Sequence, residues 1–583
     1  MRPLRACIVL ASVVACGPSN LKHKSPVDAP SSGDGGTDAG HVLTGITITP
    51  TNPIVQLDLN ATGAQGFTAT AVYADGVDED VSATATWNVM NPAVGTMTGS
   101  TLSIPAFTTA NAVVSLITAD YGGLTGQAQI TVVAYRQSGT QQDFFFILPY
   151  NDAMGPVNKP LDFQTAVQAL DVFFLMDTTG SMAGEIKNLQ NALTGTVIPG
   201  IQAAVANTQF GVGALEDFPI NPYGNVNCAG DGTDDQPFKL RQVITSNTAA
   251  VASAVNGLTN ASGGTIGCGN DLPEGGIEAI YQAATGDGLT GPSPTNVPAN
   301  HTGVGGVAFR QGTMPVIVAI SDADSHDPAS TASCSEPGYS EAEAYTGAVA
   351  AVAHSRAQTK TALGNICARL VGMAAIPTGT DPSCEAQSYF EDLATSTGAR
   401  VPPVAWDYTG TRPAGCASGQ CCTDFGGAGR APDADGLCPV VFRVQTDGTG
   451  VSTSVVTGIQ MLTRFATFTV TSLTMGVLTD INGVPLPTGH TTADFLKSIV
   501  PATFTLPPPP PVLPNPTFDT TTFYNVTPGT VVGFTVNAYN DFVVQTDQPQ
   551  IFRATIQVLA GGCTPLDQRS VLILVPPMPI TIE

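Results

Sequence analysis

Three kinds of hydrophobic patterning follow one another along the chain. Residues 42–134 alternate apolar and polar positions. Phe67, Ala69, Ala71 and Tyr73 fall on one face of such a run, which ends at the turn Asp75-Gly76. Trp87, the run Val113 to Ile117, and Ile130 to Val132 supply further strands. No helical period is present there, so a seven-strand sandwich is predicted. From residue 170 the pattern changes. Asp171-Val172-Phe173-Phe174-Leu175-Met176 is almost continuously apolar, as a strand buried on both faces requires. Ile186, Leu189, Ala192 and Leu193 then repeat at helical spacing. Phe210–Leu215, Val316–Ile320 and Leu370–Ile376 read as further apolar strands, with helices expected over Pro273–Ala284 and Tyr339–Ala362. Alternating strands and helices predict a doubly wound parallel sheet, which binds ligands beyond the carboxyl ends of its strands. Strand patterns return after residue 465, in ATFTVTS, VVGFTVNAY, FRATIQVL and SVLILVP. Pro507 to Pro514, PPPPPVLP, is a stiff polyproline stretch among them. The short piece 143–169 carries the apolar run Phe144 to Leu148 but cannot bury a core alone. Pairing with the C-terminal strands is therefore expected.

Composition adds a compartment. The chain has 583 residues, a net charge of −25 and only 11% charged side chains. That charge argues against nucleic acid and against an anionic membrane surface as partners. Arg2 and Arg5 precede the apolar stretch Ile8 to Val14 and then Ala15-Cys16, the pattern of an export signal. Val13-Val14-Ala15-Cys16 resembles a bacterial lipobox, which implies residues 1–15 as a lipoprotein signal peptide and lipidation of Cys16. Residues 16–41 are rich in Ser, Gly, Asp and Pro and read as a flexible tether. Twelve cysteines are present, and Cys7 and Cys16 lie in the leader. The other ten form no paired zinc-type spacing, so disulfides in an oxidising compartment are expected.

Three polar clusters fall where the predicted sheet would present them. They are Asp177, Thr179 and Ser181; Asn270 to Gly276; and Ser321 to His326. Their donors are carboxylates and hydroxyls, hard oxygens that suit Mg²⁺, Mn²⁺ or Ca²⁺ rather than zinc. Asp231, Asp234 and Asp235 read as a solvated loop, Asp433 and Asp435 as an incomplete imitation of a calcium loop, and His326 as a hydrogen-bonded loop residue. No Gly-x-Ser-x-Gly, His-Glu-x-x-His or P-loop is found.

DVFFLMDTTGSM, GALEDFPINPYG, NDLPEGGIEAIYQA and VIVAISDADSH, in that order, resemble the von Willebrand factor A fold, and within it the I-like domain of integrin β subunits. The resemblance covers residues 165–465. It implies a central metal held by Asp177, Thr179, Ser181, Glu274 and Asp322, with Mg²⁺ or Mn²⁺ there. It implies a neighbouring site, usually bearing Ca²⁺, at Asp217, Asp271, Glu274 and the carbonyl of Pro273. Two positions depart from the family: Gly269 stands where a side-chain amide is expected, and Gly184, before Glu185, where a third site has an acid. Residues 42–134 resemble bacterial immunoglobulin-like domains. Residues 143–164 and 466–583 resemble the integrin hybrid domain. The implied fold class is multidomain: an immunoglobulin-like β-sandwich, plus an α/β von Willebrand A domain inserted in a second, hybrid-like β-sandwich. The implied function is an exported, lipid-anchored adhesion protein, not an enzyme, at a bacterial envelope. Its partners would be a protein carboxylate on the metal and a membrane reached through lipid only. A metal-dependent envelope hydrolase and a structural protein with a degenerate site are the alternatives.

Overall fold

The computed structural model describes residues 41–139, 141–228, 232–336, 339–376, 384–408, 412–507 and 515–581. Cys16 with its leader and nearly all of the tether, Asp231, and residues 508–514 of the polyproline stretch lie outside the described residues.

The first module holds ten strands where seven were expected, from Leu43–Thr49 to Leu124–Tyr135, in sheets of three, four and three. The extra strands are short pieces such as Gly63–Gly66 and Thr96–Thr98. They carry few apolar residues and leave little periodicity to read. The alternating face Phe67, Ala69 and Ala71 is buried with Ile48, Ile117 and Ile130 in one core.

The central module is built on a six-stranded sheet in the order Lys239–Thr245, Asn207–Leu215, Ala169–Asp177, Met314–Ser321, Arg369–Ala375, Val441–Val444. All neighbours pair in parallel except the antiparallel edge Lys239–Thr245. Ala169–Asp177 is buried at every position but its first, and Met314–Ser321 at every position. Their apolar runs therefore mark the middle of the sheet.

Two helix assignments need correction. The helix expected from Pro273 begins at Gly276. The backbone before it is bonded elsewhere: Glu274 N donates to the Asp324 carbonyl (2.8 Å), and the Glu274 carbonyl accepts from His326 N (2.9 Å). The stretch Tyr339–Ala362 is not one helix. Tyr339–Ala342 is a strand paired with Ser333–Glu336, followed by the helices Gly347–Ala350 and Arg356–Asn365. Gly347 has φ +58°, which interrupts a right-handed helix. A Ser355–Gln358 capping box then restarts it.

The third part has a six-stranded and a three-stranded sheet. Phe144–Ile147 runs parallel to Thr564–Val575, with Phe145 opposite Leu572. Val157–Gln164 pairs antiparallel with Val531–Ala538. The chain thus leaves these sheets at Gln164 and returns to them at Phe468, after the central module. Phe145 also stacks on Tyr135 of the first module at 4.3 Å, within a buried cluster that includes Val133, Ile551, Leu572 and Leu574. Five disulfides are present among the described residues. Cys228–Cys268, Cys334–Cys384, Cys416–Cys422 and Cys421–Cys438 lie within the central module. Cys367–Cys563 was not foreseen; it ties the central module to the C-terminal hairpin. No helix among the described residues is long and apolar enough to cross a membrane.

Candidate metal centre

The parallel strands end on one edge, and the three polar clusters meet there. Asp177 is the last residue of its strand and fully buried. Its Oδ1 accepts from Thr179 N (2.9 Å) and Thr179 Oγ1 (2.7 Å), and its Oδ2 accepts from Ser321 Oγ (2.7 Å). Ser181 lies in the turn Gly180–Met182 that leads into the helix Ala183–Ala192, and its hydroxyl acts to lower the Asp322 carboxyl. Glu274 enters from the loop before Gly276. Its Oε1 lies 2.8 Å from where a Cβ on Gly269 would stand, and that Cβ would be 3.3 Å from Thr179 Cβ. Gly269, at φ +65°, therefore leaves room for the Glu274 carboxylate, which any side chain there would displace.

Electrostatics at this edge is a conflict among acids. Burial, and then the Asp322 charge, push the Asp177 carboxyl up to about 7. Burial pushes Glu274 well above the usual carboxylate range, helped by Asp177, Asp217, Asp271 and Asp322. Asp322 is raised by burial, against the Ser181 hydroxyl. Glu274 Oε2 has no hydrogen-bond partner. Buried acids facing acids suit a divalent cation, which would satisfy the open oxygens and offset the repulsion. Asp177, Thr179, Ser181, Glu274 and Asp322 are the hard-oxygen side chains at this edge that such an ion would draw on.

Beside them lies a second group. Asp217 follows the strand Asn207–Leu215, and its Oδ1 accepts from Phe218 N (2.5 Å) and Tyr345 Oη (2.6 Å). Asp271 lies in the loop that carries the buried Pro273 and Glu274. His326 Nε2 is 3.1 Å from Asp271 Oδ2 and 3.5 Å from Asp217 Oδ2. Ligand atoms of Asp217, Asp271 and His326 all lie within 4.8 Å of one another. Burial pushes the Asp217 carboxyl up to about 7, against the pull of His326.

At the position of a third site, a Cβ on Gly184 would lie 2.7 Å from the Thr446 carbonyl and 2.8 Å from Asp447 Cα. The loop 446–447 occupies the space where an acid would stand, so the residues present do not complete that site. Glu185 is fully buried, with both carboxylate oxygens unpartnered. Burial, with the charges of Asp322, Asp177 and Asp447, pushes it up to about 8.

Other candidates fall to structural roles. Asp235 bonds Cys268 N and Asn225 N and clamps the loop closed by Cys228–Cys268. Asp234 bonds Asn227 N within the same loop. Asp433 and Asp435 pair with Arg400. Ser321 was placed in its polar cluster without a role, and sequence reasoning missed Tyr345 as a partner of Asp217. It also missed Tyr389, whose hydroxyl meets Ser321. A lone hydroxyl or phenol leaves no pattern along the chain. His326 carried a signal, its place four residues after Asp322, but no second histidine to mark it as a ligand.

Residues 166–291 match the model of the integrin beta chain VWA domain. Among solved structures, the chain is similar to the pilus adhesin SpaC from Lactobacillus rhamnosus GG in its open conformation. That similarity has 9% identity and a TM-score of 0.27, and covers 83% of this chain and 55% of the adhesin chain. The chain thus spans about half the length of that structure. No curated protein matches.

Proposed function

We propose that the chain is an exported binding protein, not an enzyme, that holds a divalent cation at the edge of its central sheet and uses it to bind a protein ligand. The observation that carries this reading is the meeting of Asp177, Thr179, Ser181, Glu274 and Asp322 at one strand edge, where buried carboxylates face one another. These residues would hold Mg²⁺ or Mn²⁺. When bound, the ion supplies an electrophilic position for a carboxylate oxygen of the ligand protein.

The rest of the work belongs to the chain. Thr179 and Ser321 fix both oxygens of Asp177 by hydrogen bonds, so the carboxylate is oriented before a ligand arrives. Glu274 stands between the central residues and the Asp217–Asp271 pair, and the charges of both groups act on it. The Cys228–Cys268 bridge and Asp235 hold the adjoining loop, whose half-exposed Val226 and exposed Asn227 give a surface for ligand contact. The match of residues 166–291 to the integrin beta chain VWA domain supports adhesion as the role. The lipid on Cys16 and the cell envelope complete the proposal, with the first module and tether as spacer.

The test is affinity capture of envelope proteins on the purified chain with Mg²⁺, with EDTA, and on Asp177→Ala. A ligand held only by wild type with Mg²⁺, and released by amidation of its carboxylates, supports the reading. A ligand retained in EDTA and by Asp177→Ala contradicts it.

A further inference from the structure

A second feature of the same edge points to a different kind of coordination. His326 is 1% exposed and packed between aromatic rings, stacked on Tyr345 at 4.3 Å and edge-on to Tyr223 at 5.1 Å. Its Nδ1 lies 2.7 Å from the Glu343 carbonyl oxygen. A carbonyl only accepts, so Nδ1 carries the proton and donates it. A ring that carries this single proton has its lone pair on Nε2, and Nε2 faces two carboxylates, Asp271 Oδ2 at 3.1 Å and Asp217 Oδ2 at 3.5 Å. A lone pair among carboxylate oxygens needs a positive charge between them.

A proton on Nε2 would serve one oxygen. Asp217 Oδ2 and Asp271 Oδ1 have no hydrogen-bond partner, and Glu274 Oε2 beside them has none either. Asp217 is fully buried, and leaving such oxygens unmet is costly. A divalent cation can meet several at once. The spacing fits: donors about 2.1 Å from an ion stand about 3.0–3.4 Å apart in octahedral or tetrahedral geometry. The surroundings are those of a built ligand set. The Glu343 carbonyl fixes the tautomer of His326, while Tyr345 Oη and Phe218 N hold Asp217 Oδ1 so that Oδ2 turns to the imidazole.

We propose that Asp217, Asp271 and His326 form a mixed nitrogen–oxygen site for a first-row transition cation such as Zn²⁺ or Mn²⁺, with His326 Nε2 as a direct ligand. Sequence resemblance led instead to an all-oxygen calcium site. Here Gly269 supplies no amide, and the imidazole brings a nitrogen donor that suits transition ions better than calcium. The site is independent of the ligand-binding reading above, since none of its three residues holds the central ion.

The test uses the full chain, stripped of metal and reloaded with Mn²⁺. Asp177→Ala is used first, so that the central site does not contribute. Pulsed electron paramagnetic resonance should then show coupling of Mn²⁺ to a directly bonded nitrogen, at one ion per chain. His326→Gln in that background should lose the nitrogen coupling and weaken Mn²⁺ binding at least about tenfold. Calcium should compete poorly with Mn²⁺ in the parent and better in His326→Gln. Bound Mn²⁺ without nitrogen coupling, or no Mn²⁺ bound by correctly folded Asp177→Ala, overturns the proposal.

Discussion

One strand carries two buried aspartates, and they live in opposite surroundings. Asp171, near the start of Ala169–Asp177, is fully buried and fully met. Arg310 donates to it from its backbone N (2.6 Å) and Nε (2.8 Å), and Thr313 adds its hydroxyl (3.0 Å). Arg310 Nη2 completes an ion pair at 2.6 Å. Asp177, at the other end, has hydroxyl and amide donors but another carboxylate as its main charged neighbour. One end of the strand has a cation built into the chain. The other end concentrates acids, and a cation would have to come from solution. The first leaves its buried charge met; the second, in the function proposed above, accepts unmet acids so that it can hold an ion.

The sharpest way to break this contrast is to remove each partner. Arg310→Ala should destabilise the chain by roughly 3–5 kcal/mol, because it strands a buried charge. Mg²⁺ should not rescue it. If denaturant unfolding shows less than about 1 kcal/mol, the Asp171 end is not held by its ion pair.

Smaller effects should follow from pH. In metal-free protein Asp177 and Asp217 sit at about 7, above their ordinary value of 3.8. The folded state then binds more protons than the unfolded state between those values. Stability should be highest below about pH 4 with respect to these groups, fall as pH rises to about 7, and level off above. Saturating Mg²⁺ should flatten or reverse that slope, because it binds the ionised carboxylates. A metal-free slope of the opposite sign, beyond that of Asp177→Asn, would contradict the assignment.

The smallest expected change is at Glu185. With its carboxyl at about 8, it is mostly protonated at pH 7 in metal-free protein. Glu185→Gln should therefore change stability by less than about 1 kcal/mol and leave the Mg²⁺ response in place. A lost response would make Glu185 part of the ion's surroundings.

The central strands were legible because burial on both faces leaves continuous apolar runs, as in Val172 to Met176. The Asp-Thr-Ser spacing was legible because it follows directly from such a run. The helix expected across Tyr339–Ala362 failed because that stretch serves the site: the Glu343 carbonyl holds His326 and the Tyr345 hydroxyl holds Asp217. Those bonds join residues 17 and 128 positions apart, which no local period records. Cys367–Cys563 was hidden for the same reason, spanning 196 positions.

The most direct measurement is calorimetric unfolding at pH 8, with and without Mg²⁺ at about a hundred times its Kd, on wild type and Asp177→Ala. Wild type should gain about 2.7 kcal/mol in the transition of the central module. Asp177→Ala should show no gain from Mg²⁺ at that transition, and in the metal-free state it should be no less stable than wild type, since a buried acid facing Asp322 has been removed. An equal Mg²⁺ gain in both proteins would contradict a cation held by Asp177.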